Sequence, residues 1–138
     1  MTKWAKLINY WKKIIIPYGW EFKHTAEPGL VRRAEVTINH TSHSAVMRCN
    51  DLLIPCEETV LHEYGHIFLA DYNLAFDQAI KYIASIDEAK AETFVIWQHA
   101  ELEQACNEFA RLCLRVKAAG VREGHNANPV VRKKVKNG

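Results

Sequence analysis

The segment His62-Glu63-Tyr64-Gly65-His66 sets two imidazoles four residues apart, with a carboxylate directly after the first. On a helix, residues four apart lie one turn above each other on nearly the same face, so both rings can aim a nitrogen at one ion. Glu63 is too close in sequence to share their line of approach, yet its carboxylate can reach a water bound to that ion. The chemistry this spacing suits is metal-assisted hydrolysis, with Zn2+ as the ion, His62 and His66 as ligands and Glu63 as general base. A catalytic zinc usually has three protein ligands and an open position, so a third ligand must come from elsewhere. Position 69 is Leu69 and position 72 is Tyr72, which excludes the HExxHxxGxxH pattern and leaves a downstream glutamate as the common remaining solution.

The elements around the motif must position it. After Pro55, the segment from Glu57 to about Tyr72 reads as a helix with two acidic residues in its first turn, and Val60, Leu61, Tyr64, Ile67, Phe68 and Leu69 would bury the ligand face. A second helical stretch runs from about Leu74 to Ile83, and a long one from about Ile86 to Ala119, where Gly120 supplies a stop. That long helix offers Glu88, Glu92 and Glu103. Ala91, Val95, Leu102, Cys106, Phe109 and Cys113 define its apolar face, with Glu88 at the edge and Glu92 and Glu103 turned progressively away. A carboxylate aimed at a core is costly unless paired or bound to metal, which favours Glu88 as third ligand. Ser85-Ile86-Asp87-Glu88 also fits a capping box, in which Glu88 would only satisfy the helix start. As oxyanion donors His99, Tyr72 and Tyr82 are candidates, each equally readable as a polar residue at the edge of the core.

These residues carry a resemblance. His62-Glu63-Tyr64-Gly65-His66 followed by Glu88-Ala89-Lys90-Ala91-Glu92-Thr93-Phe94-Val95 resembles the gluzincin-like metallopeptidases, in particular the ImmA/IrrE-type zinc peptidases, whose HExxH is followed by E-x-x-A-[N/D]-x-F-A. The resemblance covers residues 57 to about 113 and implies a zinc metallopeptidase acting on a protein such as a transcriptional repressor. It gives Glu88 the role of third ligand and Glu92 that of support for a ligating histidine, although Glu92 stands where the family has Asn or Asp. A second copy, Glu103-Gln104-Ala105-Cys106-Asn107-Glu108-Phe109-Ala110, carries the asparagine but has Cys106 in place of alanine and lies further from the histidines.

The remainder of the chain sets the scaffold. At 138 residues with 49% hydrophobic and 25% charged residues, one domain with one core is expected, large enough to fold without disulfides or a structural metal. Residues 3 to 16 place Trp4, Leu7, Ile8, Trp11, Ile14 and Ile15 at helical spacing, a core-packed amphipathic helix that Pro17 and Gly19 end; a membrane-surface helix would share this pattern. Trp20 to Thr25, Ala34 to Ile38 and Ala45 to Cys49 read as strands of a small antiparallel sheet, with turn chemistry at Asn39-His40-Thr41-Ser42. His24, His40 and His43 share no ligand spacing and read as solvent-facing. The expected fold is thus α+β: a sheet packed on the HExxH helix, an N-terminal helix and long C-terminal helices, in a zincin-like domain over residues 1–120.

Residues 121–138 read as a basic, flexible tail. A net charge of +2 gives no basis for direct nucleic-acid binding, no segment reaches the roughly 18 apolar residues that span a bilayer, and the N-terminus is not a signal peptide, so a cytoplasmic protein is expected. Cys49, Cys56, Cys106 and Cys113 form no CxxC pair and are expected as reduced thiols, Cys106 and Cys113 as core packing. The partner is a protein or peptide substrate. A rival from another class is a regulatory module that keeps zinc without catalysis, docking a partner through its helix and tail.

Overall fold

The computed structural model describes the backbone of residues 1–137 and the side chains of residues 1–120, so the basic tail assigned to 121–138 lies outside the residues described in full. The chain is α+β, running α1 (Lys3–Ile15), β1 (Glu21–Ala26), β2 (Ala34–Asn39), β3 (Ser44–Cys49), α2 (Glu57–Phe68), α3 (Ala70–Ala84) and α4 (Glu88–Asn137).

The first helix starts where the Thr2 hydroxyl accepts a hydrogen bond from the Ala5 N–H at 3.1 Å, and ends with Lys12 and Lys13 against the negative end of its dipole. Trp4, Ile8, Trp11 and Ile15, spaced four, three and four apart, form its buried stripe. Three hydrogen bonds fix that stripe on the core: Trp4 Nε1 donates to the Leu53 carbonyl at 3.0 Å, Trp11 Nε1 to Glu57 Oε1 at 2.8 Å, and the Tyr64 hydroxyl to the Ile8 carbonyl at 2.7 Å. The apolar face is therefore committed to the protein interior. No described helix is long and apolar enough to cross a membrane.

The sheet departs from expectation in its topology. It is mixed, not antiparallel, with strand order β1-β3-β2. β2 and β3 form the expected antiparallel hairpin, with Val36 opposite Met47, and Asn39 Oδ1 accepts from the Thr41 and Ser42 N–H groups in the turn. β1, however, pairs parallel to β3, with Phe22 opposite Ala45. On the far edge of β2 the Val36 N–H donates to Glu63 Oε2 at 3.0 Å and ties the strand to α2. β1 lies on the other side of β3. One sheet face sends Phe22, Ala34, Ala45, Met47 and Cys49 into the core, as a period of two requires. The opposite face carries Arg48, paired with Glu27 and Glu35.

The helix expected from Glu57 to Tyr72 breaks at Leu69, whose φ of −95° and ψ of 6° turn the chain from α2 into α3. Val60, Leu61, Tyr64 and Ile67 of α2 are buried against the sheet and α1. On its other side α2 meets α4. A Cβ added at Gly65 would stand 3.2 Å from Cys106 Cα and 3.3 Å from Cys106 Cβ and Sγ, so the two helices touch almost backbone to backbone. α4 also continues past Gly120, expected to stop it; one glycine costs about 1 kcal/mol in a helix, too little to end one by itself. At the far end of the α2–α4 contact, Lys117 Nζ reaches Glu57 Oε1 at 2.5 Å and lies 4.8 Å over the Tyr10 ring, tying α1, α2 and α4 together.

The Gly65 contact generates a test. In Gly65→Val the new carbons push into the Cys106 backbone, and overpacking of about 1–3 kcal/mol should outweigh the few tenths gained in helix propensity. Urea unfolding should show the lower midpoint. Adding Cys106→Ala should recover only part of it, because the nearest atom is the Cα, which that change leaves in place.

Candidate metal centre

Within α2 the four-residue spacing does what it predicts: His62 Nε2 and His66 Nε2 stand 3.2 Å apart. The Glu103 carboxylate of α4 closes the group, Oε2 lying 3.1 Å from His62 Nε2 and Oε1 3.2 Å from His66 Nε2. Ligand atoms about 2.0–2.1 Å from a tetrahedral ion stand roughly 3.3 Å from one another, close to the spacing of the two imidazole nitrogens and of each from one Glu103 oxygen, Oε2 for His62 and Oε1 for His66. The His62, His66 and Glu103 side chains can therefore hold a metal ion.

The protonation pattern suits that use. His62 Nδ1 lies 2.7 Å from Asn107 Oδ1, an atom that can only accept, so Nδ1 carries a hydrogen and Nε2 is the nitrogen turned toward the group. His66 is held below the usual imidazole range, first by burial and then by the neighbouring positive charges of His62, His99 and Arg32, against the opposing pull of Glu103. It is a neutral ring, as a ligand must be.

Glu63 is 8% exposed, between α2 and the edge of the sheet. Its Oε2 accepts the Val36 N–H described above. Burial pushes its pKa up to about 7, the Glu103 charge adds to that rise, and the Val36 hydrogen bond and Arg32 oppose it. A cleft lined by Arg32, Glu35, Val36, Ile38, His40, Glu63, His66, Asn73 and Glu103 opens over these groups. A second, apolar cavity between α3 and α4, lined by residues that include Leu69, Tyr72, Phe76, Trp97 and Leu102, shares Asn73 with it.

The structure brings together His62, Glu63 and His66 as the motif predicts, but the carboxylate that joins them is Glu103. Glu88, the expected third ligand, is the first residue of α4, exposed, and about 22 Å of helix from Glu103. Glu92 is likewise exposed on that distant turn. The error is one of faces: the amino-terminal part of α4 turns Ala91, Gln98 and Leu102 toward α3, whereas Glu103, Cys106, Asn107 and Ala110 turn toward α2, roughly 100° around the helix at 100° per residue. Merging both into one apolar face, with the exposed Val95, pushed Glu103 off it. The second copy of the glutamate-asparagine pattern, at Glu103 and Asn107, is the one that meets the histidines.

The remaining candidates sort by position. Tyr72 lines the apolar cavity, Tyr82 is exposed near the end of α3, and His99 sits exposed one turn before Glu103. His40, read from sequence as solvent-facing, is half-buried in the turn directly after β2 and lines the cleft. Burial raises the Cys49 thiol to about 11 and the Cys106 thiol to about 12, which keeps both protonated and out of metal chemistry. All four cysteines are unbridged.

No family model, no curated protein and no solved structure matches this chain.

Two measurements follow from this geometry. Titration of the metal-free protein with zinc against a competing chelator should show Glu103→Ala losing more than the 10–100-fold expected for Asn107→Ala, with Glu88→Ala unchanged. The second concerns pH. A carboxyl whose folded pKa is raised from about 4.5 to about 7 favours folding fully below pH 4.5, and that contribution is lost as pH rises through 7. Metal-free Glu63→Gln, which keeps an acceptor for Val36, should therefore exceed the wild type in stability at pH 8 by up to about 3 kcal/mol, with no difference near pH 4.

Proposed function

We propose that this chain is a zinc-dependent peptidase with a minimal zincin-like domain, in which His62, His66 and Glu103 hold the ion and Glu63 serves as general base. The observation that carries this reading is the buried Glu63 carboxylate sharing one cleft with His66 and Glu103 of the three-ligand group. Among the described residues the group has three members, which leaves a tetrahedral ion one position for water or substrate. A purely structural site would use a fourth side chain there, so this favours the enzyme over a non-catalytic zinc-binding module.

A bound zinc ion supplies Lewis acidity toward water and toward an amide carbonyl. The protein's own part is proton handling and placement. With a cation at the ligand group, the Glu63 carboxyl is drawn back toward its ionised form, ready to accept a proton. The water oxygen forms the new bond to the carbonyl carbon as one water proton passes to Glu63. When the carbon–nitrogen bond breaks, Glu63 returns that proton to the leaving nitrogen, giving a carboxylic acid and an amine. Asn107 keeps His62 in the ligating tautomer throughout.

Strand β2 lies at the sheet edge beside the cleft and contributes Glu35, Val36 and Ile38 to its wall, an arrangement that suits an extended polypeptide laid along it. The resemblance to ImmA/IrrE-type peptidases supports the same reading and extends it to a regulatory protein, such as a repressor, as substrate. The Glu103-to-Ala110 copy of their second pattern is the one that fits, with Glu103 as ligand and Asn107 as the residue supporting His62.

The experiment is direct. Zinc-loaded protein incubated with denatured casein should release new peptide termini seen by mass spectrometry, and a chelator should abolish them. Glu63→Gln should retain zinc while kcat falls at least 10²-fold; undiminished cleavage by that variant would remove the general-base assignment.

A further inference from the structure

The hydrolytic reading leaves one demand unmet among the groups named so far: a donor for the carbonyl oxygen as it gains negative charge. We infer that His40, at the end of β2, supplies that hydrogen bond and is a catalytic residue of the cleft. The inference rests on the peptidase reading above.

Three observations point to it. The first is position: Val36 and Ile38, two residues apart on β2, face the same side, His40 follows in the turn immediately after the strand, and all three line the cleft with Glu63, His66 and Glu103. The second is an unmet bond. His40 Nδ1 is buried with no hydrogen-bond partner among the described residues, which costs about 1–3 kcal/mol for a polar atom that nothing satisfies. Arg48 Nε is in the same position, but its guanidinium is already engaged by Glu27 and Glu35, and Arg48 itself does not line the cleft. The third is chemical. An imidazole in either protonation state carries at least one N–H, and with Nδ1 unpaired among the described residues no bond fixes the tautomer, so the cleft-lining ring can present an N–H to an oxygen placed there.

The alternatives are less well placed. His99 is exposed and does not line the cleft, Tyr72 belongs to the neighbouring apolar cavity, and Tyr82 lies near the far end of α3. Arg32 does line the cleft, but it is exposed and flexible in reach, and its charge acts on the ground state of Glu63 and His66 as much as on a developing oxyanion. His40 is half-buried in the turn directly after β2, where Asn39 Oδ1 accepts from the Thr41 and Ser42 N–H groups, which gives it a fixed base.

The test uses the zinc-loaded full chain and denatured casein, read as initial rate against substrate concentration. His40→Ala should lower kcat about 10²-fold with KM changed less than threefold, because the donated bond matters only as charge develops. Zinc affinity should stay at the wild-type value and the thermal midpoint should not fall, since His40→Ala removes an unpaired buried atom, and His40→Gln, which retains an N–H donor, should recover about tenfold of the lost rate. A kcat within twofold of wild type in His40→Ala overturns the assignment. So does a parallel loss of zinc, which would make His40 part of the metal-holding structure. If the wild-type protein cleaves nothing, the peptidase reading fails and takes His40 with it; if the wild type cleaves and His40→Ala cleaves equally well, the His40 assignment alone is lost.

Discussion

Everything at the metal centre depends on how closely α4 can approach α2. Two of the three ligands come from one helix and need only its pitch, but the third arrives from a helix more than thirty residues later. Glu103 reaches His62 and His66 at 3.1 and 3.2 Å because Gly65, one residue before His66, offers no side chain to hold α4 away. Cys106, one turn after Glu103, fills the space a larger residue would otherwise contest. The same approach delivers Asn107 to His62 Nδ1, so one close contact positions both a ligand and the group that orients another ligand. The Glu57–Trp11–Lys117 cluster secures α4 further along, where Glu57, despite a burial that would raise its pKa, is kept below the usual carboxylate range by bonds from Lys117 and Trp11.

How much of this was legible in the sequence follows from which features are local. The motif helix and its paired histidines are local, and spacing alone located them. The buried stripe of α1 was equally plain, because Trp4, Ile8, Trp11 and Ile15 recur at helical intervals. All three strands were placed to within about a residue, since each carries its own alternation. Their order was not legible: nothing in β1 records that β3 will come between it and β2.

The third ligand was illegible for a related reason. Periodicity can assign a face to a helix only when one partner defines it, and α4 serves two. Near Gln98 it answers to α3, through bonds from the Gln98 side chain to Asn73 and Asp77; near Glu103 it answers to α2. A pattern averaged along the helix therefore describes neither contact, and the residue that satisfies the metal group looks misplaced until the two are separated. His40 does lie in a turn, as its neighbours suggest, but it is half-buried and lines the cleft, which no local pattern records.

Glu63 shows what the arrangement costs and why such a residue persists. A carboxyl buried between a helix and a sheet edge, with a single backbone donor, destabilises the metal-free fold once it ionises, and an apolar residue of similar size would pack there without that penalty. From folding alone the position is a poor choice. It becomes a sensible one if a cation sits at the neighbouring ligand group, since that charge offsets the burial and lowers the pKa toward the range where the group is ionised at neutral pH. The strain thus has a natural relief in a cation that the His62, His66 and Glu103 group could hold. Stability surrendered at a buried titratable group beside an open cleft is the pattern expected where selection acts on chemistry in place of packing.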